Sequence, residues 1–324
     1  MKYVVFGSSG FLGQFLVKEL ASKGKRILCC DMYFPEGIYS DNNTVQYKID
    51  IRDSEAVNLV DISSDDIVIN LAANQYHLKV PRKSRKNYFF KTNYNGTENI
   101  LSAMEKNHCK RLIYFSTDMV YGKPLYLPVT VDHKRCPFGP YGESKKASED
   151  LCFRYRDKGF NITIFRPRMI MGPGRLGILK KLFGLIDRNL PVPMIGNGKN
   201  CYQLVSVHDC VSAVIKAIDK GIPNREYNLG SDNPPKVRDL LKSLIHNADS
   251  SSIVFPTWGK GLKFVLFLLS KIGIEIMYKE QYMIADRNYI IDIEKTKSEL
   301  GWEPKYNDLS MISSAYKFYL KQEK

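Results

Sequence analysis

Histidine is scarce in this chain and its cysteines are unpaired. Five histidines are scattered through 324 residues without ligand spacing, and seven cysteines, two of them adjacent at Cys29 and Cys30, include no Cys-x-x-Cys pair. Neither a metal site nor a disulfide framework is expected, and the thiols are read as reduced. There is no internal repeat and no low-complexity tract. No apolar run is long enough to span a membrane. Leu262 to Met277 is the most apolar stretch, but it is short and interrupted by Lys263, Ser270, Lys271 and Glu275. Lys2 is followed directly by a strand-like segment instead of an uninterrupted hydrophobic helix, so no signal peptide is read and the cytoplasm is the expected location. The apolar fraction of 44% is ordinary, and the length allows one large or two modest domains.

Positive charge is what the chain has in excess, with a net value of +14. Lysine and arginine are dispersed along it, which argues against a nucleic-acid surface. The densest group is Lys79, Arg82, Lys83, Arg85 and Lys86. It reads first as a solvated helix start and second as a site for an anionic partner such as a phosphorylated metabolite or an anionic membrane face.

The most informative stretch lies at the start. Lys2 to Phe6 is a short apolar run with β-branched residues, Gly7-Ser8-Ser9-Gly10-Phe11-Leu12-Gly13 follows at once, and a helical pattern runs on to Lys23. Gly7 permits a tight turn, Gly10 lets the backbone approach a pyrophosphate, and Gly13 lets the helix pack close to the strand, with the helix N-terminus facing the phosphates. Arg26 to Asp31 reads as the next strand and places an acid 18 residues after Gly13. A carboxylate there accepts hydrogen bonds from an adenosine ribose and repels a 2′-phosphate, so NAD is expected in preference to NADP.

Strand and helix patterns then alternate. Val45 to Ile49 reads as a third strand ending at Asp50, which either meets the adenine amino group or caps the helix beginning near Asp53. Asp66 to Leu71 is a fourth strand, followed by small residues at Ala72 and Ala73. A long helix is expected from Ser84 to Asn107, with an unusual polar cluster at Asn93, Asn95, Gly96, Thr97 and Asn99 that suggests contacts to neighbouring loops. Lys110 to Ser116 is a fifth strand, and Asn161 to Arg166 a sixth, stopped by Pro167. The expected fold is α/β, a doubly wound parallel sheet of Rossmann type with a smaller C-terminal α/β substrate lobe. Residues 1–166 form the NAD-binding domain and 167–324 mostly the lobe, with a helix near Ile178 to Arg188. The chain returns to the sheet around 202–230, through strands at Tyr202 to Val207 and Glu226 to Leu229 and a helix between them. Leu262 to Met277 is expected to pack inside the lobe; the alternative is a membrane-surface helix with Trp258, Phe264 and Phe267 in lipid and Lys260, Lys263 and Lys271 at headgroups.

Tyr141 and Lys145 are four apart, so both lie on one helical face. A tyrosine with a pKa near ~10 is a poor base at neutral pH unless a neighbouring cation stabilises its anion, and Lys145 can do so while also holding a nicotinamide ribose. Thr117, just beyond the fifth strand, can hydrogen-bond the same substrate oxygen. This is the equipment for hydride transfer between an alcohol and a ketone, with the proton taken by Tyr141.

At this point the sequence resembles the extended short-chain dehydrogenase/reductase family, in its group of NAD-dependent nucleotide-sugar epimerases and dehydratases. The resemblance spans essentially the whole chain. It rests on Gly7-x-x-Gly10-x-x-Gly13, Asp31, Asp50-Ile51, Asn70-x-Ala72-Ala73, Asn93-x-Asn95-Gly96-Thr97, Ser116-Thr117-x-x-Val120-Tyr121-Gly122, Tyr141-x-x-x-Lys145 and Leu300-Gly301-Trp302-x-Pro304. It implies Thr117, Tyr141 and Lys145 as catalytic residues and a homodimer built on the long helices carrying Asn93 and Tyr141. It implies NAD against Gly7, Ser9, Gly10, Phe11, Leu12, Asp31, Asp50, Ile51, Leu71, Ala72, Ala73 and Asn93, with Tyr141 and Lys145. Asp118, Met119, Arg168 and Gln203 are the expected substrate-binding residues.

Two departures bear on the substrate. Sugar 4,6-dehydratases place a glutamate after the Thr-Asp pair as the base that removes a carbon-bound proton, and here that position is Met119, so dehydration is not expected. Many nucleotide-sugar enzymes also carry an asparagine shortly after the Arg-Pro pair to bind the diphosphate. This chain has methionine there, which leaves that task to Arg168, and Gln203 stands where many relatives place a phosphate-binding arginine. The leading expectation is a nucleotide-sugar 4-epimerase or 4-dehydrogenase. The alternatives are an enzyme of a hydrophobic alcohol, resembling the 3β-hydroxysteroid dehydrogenase branch, and a non-catalytic NAD-sensing protein, for which an intact Thr117, Tyr141 and Lys145 would serve no purpose.

Overall fold

Alternate residues of the first strands go to opposite sides of one sheet, and this builds two cores. The structure is a computed structural model describing residues 1–39, 41–76, 80–174, 176 and 179–323. Lys79 of the basic group and Ile178 at the expected helix start lie outside the described residues. The strands are β1 (Tyr3–Phe6), β2 (Ile27–Asp31), β3 (Thr44–Lys48), β4 (Ile67–Asn70), β5 (Arg111–Phe115), β6 (Asn161–Pro167), β7 (Met169–Met171), β8 (Val192–Met194), β9 (Leu204–Ser206), β10 (Glu226–Leu229) and β11 (Val254–Pro256). Seven of them form a parallel sheet in the order β10-β6-β5-β4-β1-β2-β3. Successive strands run outward to β3, then restart on the other side of β1. The C-terminal ends of β1 and β4 therefore flank the switch point, where open α/β sheets bind ligands.

The helices are α1 (Phe11–Ser22), α2 (Ser54–Asn58), α3 (Arg85–Phe90), α4 (Gly96–Lys106), α5 (Pro140–Asp157), α6 (Leu179–Asp187), α7 (Val207–Asp219), α8 (Val237–Asn247), α9 (Gly259–Ile272), α10 (Lys279–Tyr282), α11 (Glu294–Leu300) and α12 (Asp308–Glu323). On one face, Val5, Cys29 and Ile69 meet Leu16 and Val17 of α1 and Val211 and Val214 of α7. On the other, Val4, Phe6, Leu28 and Val68 meet Ile100 and Met104 of α4 and Leu151 and Cys152 of α5. The period of two in the strands and the apolar stripes of the helices thus specify the layers. A third apolar cluster joins Phe183 and Ile186 of α6, Leu241 and Leu244 of α8, and Ile312 and Tyr316 of α12 with the short strands of the C-terminal part.

Several elements differ from expectation. Pro167 does not stop β6; it is the strand's last residue, in register with Leu229, a strand-end position where a missing N–H is tolerated. Only β10 of the two expected returning strands joins the main sheet. β9 pairs instead with β7 in a separate two-stranded sheet, and β10 lies on the edge of β6. The expected long helix over Ser84 to Asn107 is α3 and α4 joined by a π-helical turn at Lys91–Asn95. That turn breaks the regular backbone bonding, so the Asn93 carbonyl can accept from the hydroxyls of Thr97 at 2.7 Å and Ser148 at 2.8 Å, which accounts for the polar residues in mid-helix. Leu262 to Met277 does not pack inside the lobe: of the 14 residues of α9, only Leu266 is buried.

Candidate active site

Gly7 takes φ +80, a left-handed conformation that favours glycine, and a Cβ on it would come within 2.6 Å of the Ala72 backbone nitrogen. The turn after β1 is thereby pressed against the end of β4. A Cβ on Gly13 would collide with the carbonyls of Gly7 and Ser8, so this glycine sets how closely α1 approaches β1. Asp31 ends β2 and accepts from the backbone N–H of Ser9 at 2.9 Å and of Met32 at 2.8 Å, which ties it to the glycine turn. Burial raises its carboxyl above the usual range, and those backbone donors pull the other way. The Ser9 hydroxyl is buried without a hydrogen-bond partner among the described residues, as is that of Ser116.

The other expected cofactor residues differ in what their side chains can do. Leu12 and Ile51 face the core, so only their backbones are available. Leu71, Ala72 and Ala73 follow β4 and are partly exposed, while the Phe11 ring packs beside Gly172 beyond β7. The Asp50 carboxylate is forked by the Arg52 guanidinium, and Asp53 caps α2 by accepting from Glu55 and Ala56 N–H, so Asp50 is not the cap. Arg52 holds the Asp50 carboxyl below its ordinary pKa. The Asn93 amide is committed to the scaffold: it accepts from Asn74 N–H at 2.8 Å and donates to the Ser144 hydroxyl at 2.9 Å.

Tyr141 stands in the first turn of α5 and Lys145 one turn further on, both buried. Pro140 at the first helical position suits the fixed φ of proline. Lys145 donates to the Phe115 carbonyl at 2.6 Å and lies 4.3 Å from the centre of the Tyr114 ring, and burial lowers its pKa to about 7. The helix is anchored to the sheet by Arg166 of β6, which grips Glu149 with bonds of 2.9 and 2.8 Å. The first turn of α5 also meets the loop after β5: a Cβ on Gly142 would sit 2.7 Å from the Met119 carbonyl. Met119 and Tyr141 belong to one apolar cluster with Val80 and Phe89.

Thr117 ends that loop's extended approach. Its hydroxyl accepts from Met119 N–H at 3.2 Å and donates to Asp118 Oδ1 at 3.2 Å. Asp118 Oδ2 is ion-paired with Arg168, and both side chains are buried. Arg168 lies over the Tyr202 and Tyr289 rings, at 4.5 and 4.1 Å from their centres. Burial works against its charge, but Asp118 and the two tyrosines more than offset this and raise its pKa. Gln203 is not oriented as a ligand group: its amide donates to the Ser231 carbonyl at 2.6 Å and accepts from Ile291 N–H at 2.9 Å. The structure therefore brings Thr117, Asp118 and Arg168 together, sets Met119 beside Tyr141, and leaves Gln203 as a structural strut.

One part of the site carries no sequence signal. The Tyr76 ring lies 5.6 Å from that of Tyr141, 5.2 Å from Phe89 and 4.5 Å from Tyr278, so an aromatic wall drawn from three distant segments surrounds the tyrosine. No group of His, Cys, Asp and Glu able to hold a metal ion exists among the described residues.

The profile of the NAD dependent epimerase/dehydratase family matches residues 3–230. The chain belongs to this family. It is an NAD-dependent enzyme with the Rossmann-type fold expected from its first strand and turn. It is 30% identical to the protein y4nG of Sinorhizobium fredii, itself uncharacterised, over 98% of this chain and 78% of that one. It is 25% identical to a UDP-glucose 4-epimerase of Vibrio cholerae, over 92% of this chain and 89% of that one. A crystal structure of the UDP-glucose 4-epimerase of Thermotoga maritima with UDP-glucose superposes with a TM-score of 0.79 and 24% identity, covering 100% of both chains.

Proposed function

We propose that this member of the family acts on a secondary alcohol at C4 of a nucleotide-linked sugar, as a 4-epimerase or 4-dehydrogenase. The observation that carries the reading is the pairing of Asp118 with Arg168, while Met119, next in the chain, packs in one apolar cluster with Tyr141. Asp118 is engaged by Arg168 and methionine is no base, so the site is equipped for proton transfer at an alcohol and not for elimination of water.

NAD fits the residues present. Its pyrophosphate is assigned to the Gly7 to Leu12 turn, where the unpartnered Ser9 hydroxyl is available, and its adenosine ribose to Asp31. Asp50 with Ile51, and Leu71 to Ala73, line the remaining path. Bound there, the cofactor would supply the redox chemistry, as acceptor of the carbinol hydride and, for epimerisation, as its donor. Tyr141 takes the proton of the substrate hydroxyl, and Lys145 stabilises the resulting phenolate. Thr117 donates to the same substrate oxygen; Asp118 can release its hydroxyl because Arg168 continues to satisfy the carboxylate. In this reading Asn93 acts by positioning α5, and Gln203 is withdrawn from the substrate residues.

We assign the NAD-binding part to residues 1–166 with β10, the substrate part mostly to 167–324, the location to the cytoplasm, and the assembly to a homodimer through α4 and α5. Light scattering at the elution peak tests the assembly. The decisive test of the reaction is incubation with a panel of UDP- and dTDP-hexoses, followed by proton NMR of the anomeric region. Inversion or oxidation at C4 by the unmodified protein, lost in Tyr141→Phe, is the expected outcome, and release of water to give a 4-keto-6-deoxy product would overturn it.

A further inference from the structure

The exposed side of α9 is apolar, the reverse of a helix packed on a soluble domain. Phe264, Val265, Leu268 and Ile272 lie outward on spacings of one, three and four, whereas Leu266 faces the protein. Phe264 is 60% exposed, Ile272 71% and Trp258, just before the helix, 77%. Lys260 and Lys271 stand on the same outward side at the two ends of this stripe. The chain then folds so that its densest basic group meets the helix: Arg82 donates to the Gly273 carbonyl, and Arg85 pairs with Glu275. Lys83 and Lys86 of the same segment are exposed. Residues 253–279 hold a single acid, Glu275, and that acid is the partner of Arg85. Two features some 190 residues apart in sequence thus form one surface, apolar in the middle and basic at the margins.

We propose that this surface docks on an anionic lipid bilayer, with α9 lying in the plane of the interface. At 14 residues the helix is too short to cross, whereas an apolar stripe flanked by Trp and Lys suits the boundary between headgroups and acyl chains. Basic groups within a Debye length add attraction to acidic headgroups. A second copy is the poorer occupant, because two-fold packing of this face on itself would bring the basic groups into apposition. The docked segment is continuous with the active site: the chain leaving α9 carries Tyr278, whose ring lies against Tyr76 and through it against Tyr141.

The test is flotation of the full-length protein with vesicles of phosphatidylglycerol and phosphatidylcholine, against vesicles of phosphatidylcholine alone, together with tryptophan emission. Trp302 is buried and Trp258 is not, so a shift of emission to the blue reports on Trp258. We expect flotation and a blue shift with the anionic vesicles, both weakened by high salt. Phe264→Glu with Leu268→Glu should lower partitioning by at least about tenfold, as expected from exposing two large apolar side chains' worth of lipid contact. Lys260→Glu with Lys271→Glu should lower binding to the anionic vesicles only. Retention of the unmodified protein in the unbound fraction would overturn the proposal. So would flotation of both double variants at the level of the unmodified protein, or a dimer in sedimentation that Phe264→Glu with Leu268→Glu abolishes, which would assign the face to a second copy.

Discussion

Lys145 is a cation with a carbonyl and an aromatic ring for neighbours and almost no water, and its pKa falls to about 7. The unfolded chain therefore binds the proton more tightly than the folded one over the interval from about 7 up to the ordinary lysine value near ~10.4. Stability from this group rises with pH across that window and is flat below it. Lys145→Met should be more stable than the parent at pH 7, with the difference shrinking by pH 9.5 in urea titrations of the NAD-free proteins; a constant difference would mean that burial does not lower the Lys145 pKa. Arg168 and Asp118 raise a different question, because breaking a buried ion pair leaves one charge stranded. Arg168→Ala should cost roughly 3–5 kcal/mol of stability, and adding Asp118→Leu should recover part of it. On the proposed assignment of Asp31 to the adenosine ribose, Asp31→Ala should erode the preference for NAD over NADP in calorimetry, because the carboxylate would repel a 2′-phosphate. Asp31, Tyr141 and Lys145 are proposed from local spacing, which a sequence carries. The partner of Arg168 lies fifty residues away in Asp118, and Gln203 bonds to backbone at Ser231 and Ile291. No spacing rule reports such contacts.

At the scale of elements, β1, β2, β4 and β5 were readable because each is short, apolar and buried along most of its length. Pairing is less local. The short strand at Leu204–Ser206 looks like any other, and nothing local in it says that its partner is β7 and not β6. The π-helical turn likewise left only an indirect trace, polar residues where an amphipathic helix should have had none, because the hydrogen bonds of Asn93 that go with it run to α5, some fifty residues on. α9 was misjudged for a related reason: an apolar composition says that a surface seeks cover, but not that this chain provides it. The close packing of α1 on the glycine turn leads to a prediction here. In Gly13→Ala the new methyl would meet two backbone carbonyls, which cannot move aside as a side-chain tip can. Overpacking of this kind costs about 1–3 kcal/mol, and it should displace the turn, so a lower melting temperature and NAD affinity reduced by at least about tenfold are expected together. Normal NAD binding by Gly13→Ala would remove the turn from the cofactor site.

Across the whole molecule, the sheet and the C-terminal cluster are separate apolar cores, and the aromatic wall at Tyr76, Tyr141 and Tyr278 draws on segments from both sides of residue 166. A substrate held there by its diphosphate should stabilise the protein by mass action, independently of turnover. UDP or a related nucleoside diphosphate at about a hundred times its dissociation constant adds about 2.7 kcal/mol, which for a chain of this size should raise the melting temperature of the NAD-bound protein by several degrees. With a net charge of +14, general anion binding has to be separated from recognition, and inorganic pyrophosphate at the same concentration serves that purpose. A specific site responds to the nucleotide and much less to pyrophosphate; a basic surface responds to both alike. The sequence also points to Arg168 for the diphosphate, but its pairing with Asp118 means that Arg168→Ala changes the fold's stability as well as any ligand contact, so the ligand-induced shift must be measured relative to each variant's own baseline. No shift from any nucleoside diphosphate, together with oxidation of a sterol-like 3β-alcohol presented in anionic vesicles, would transfer the assignment to a hydrophobic-alcohol dehydrogenase. In that case the exposed face of α9 would mark the route by which the substrate arrives.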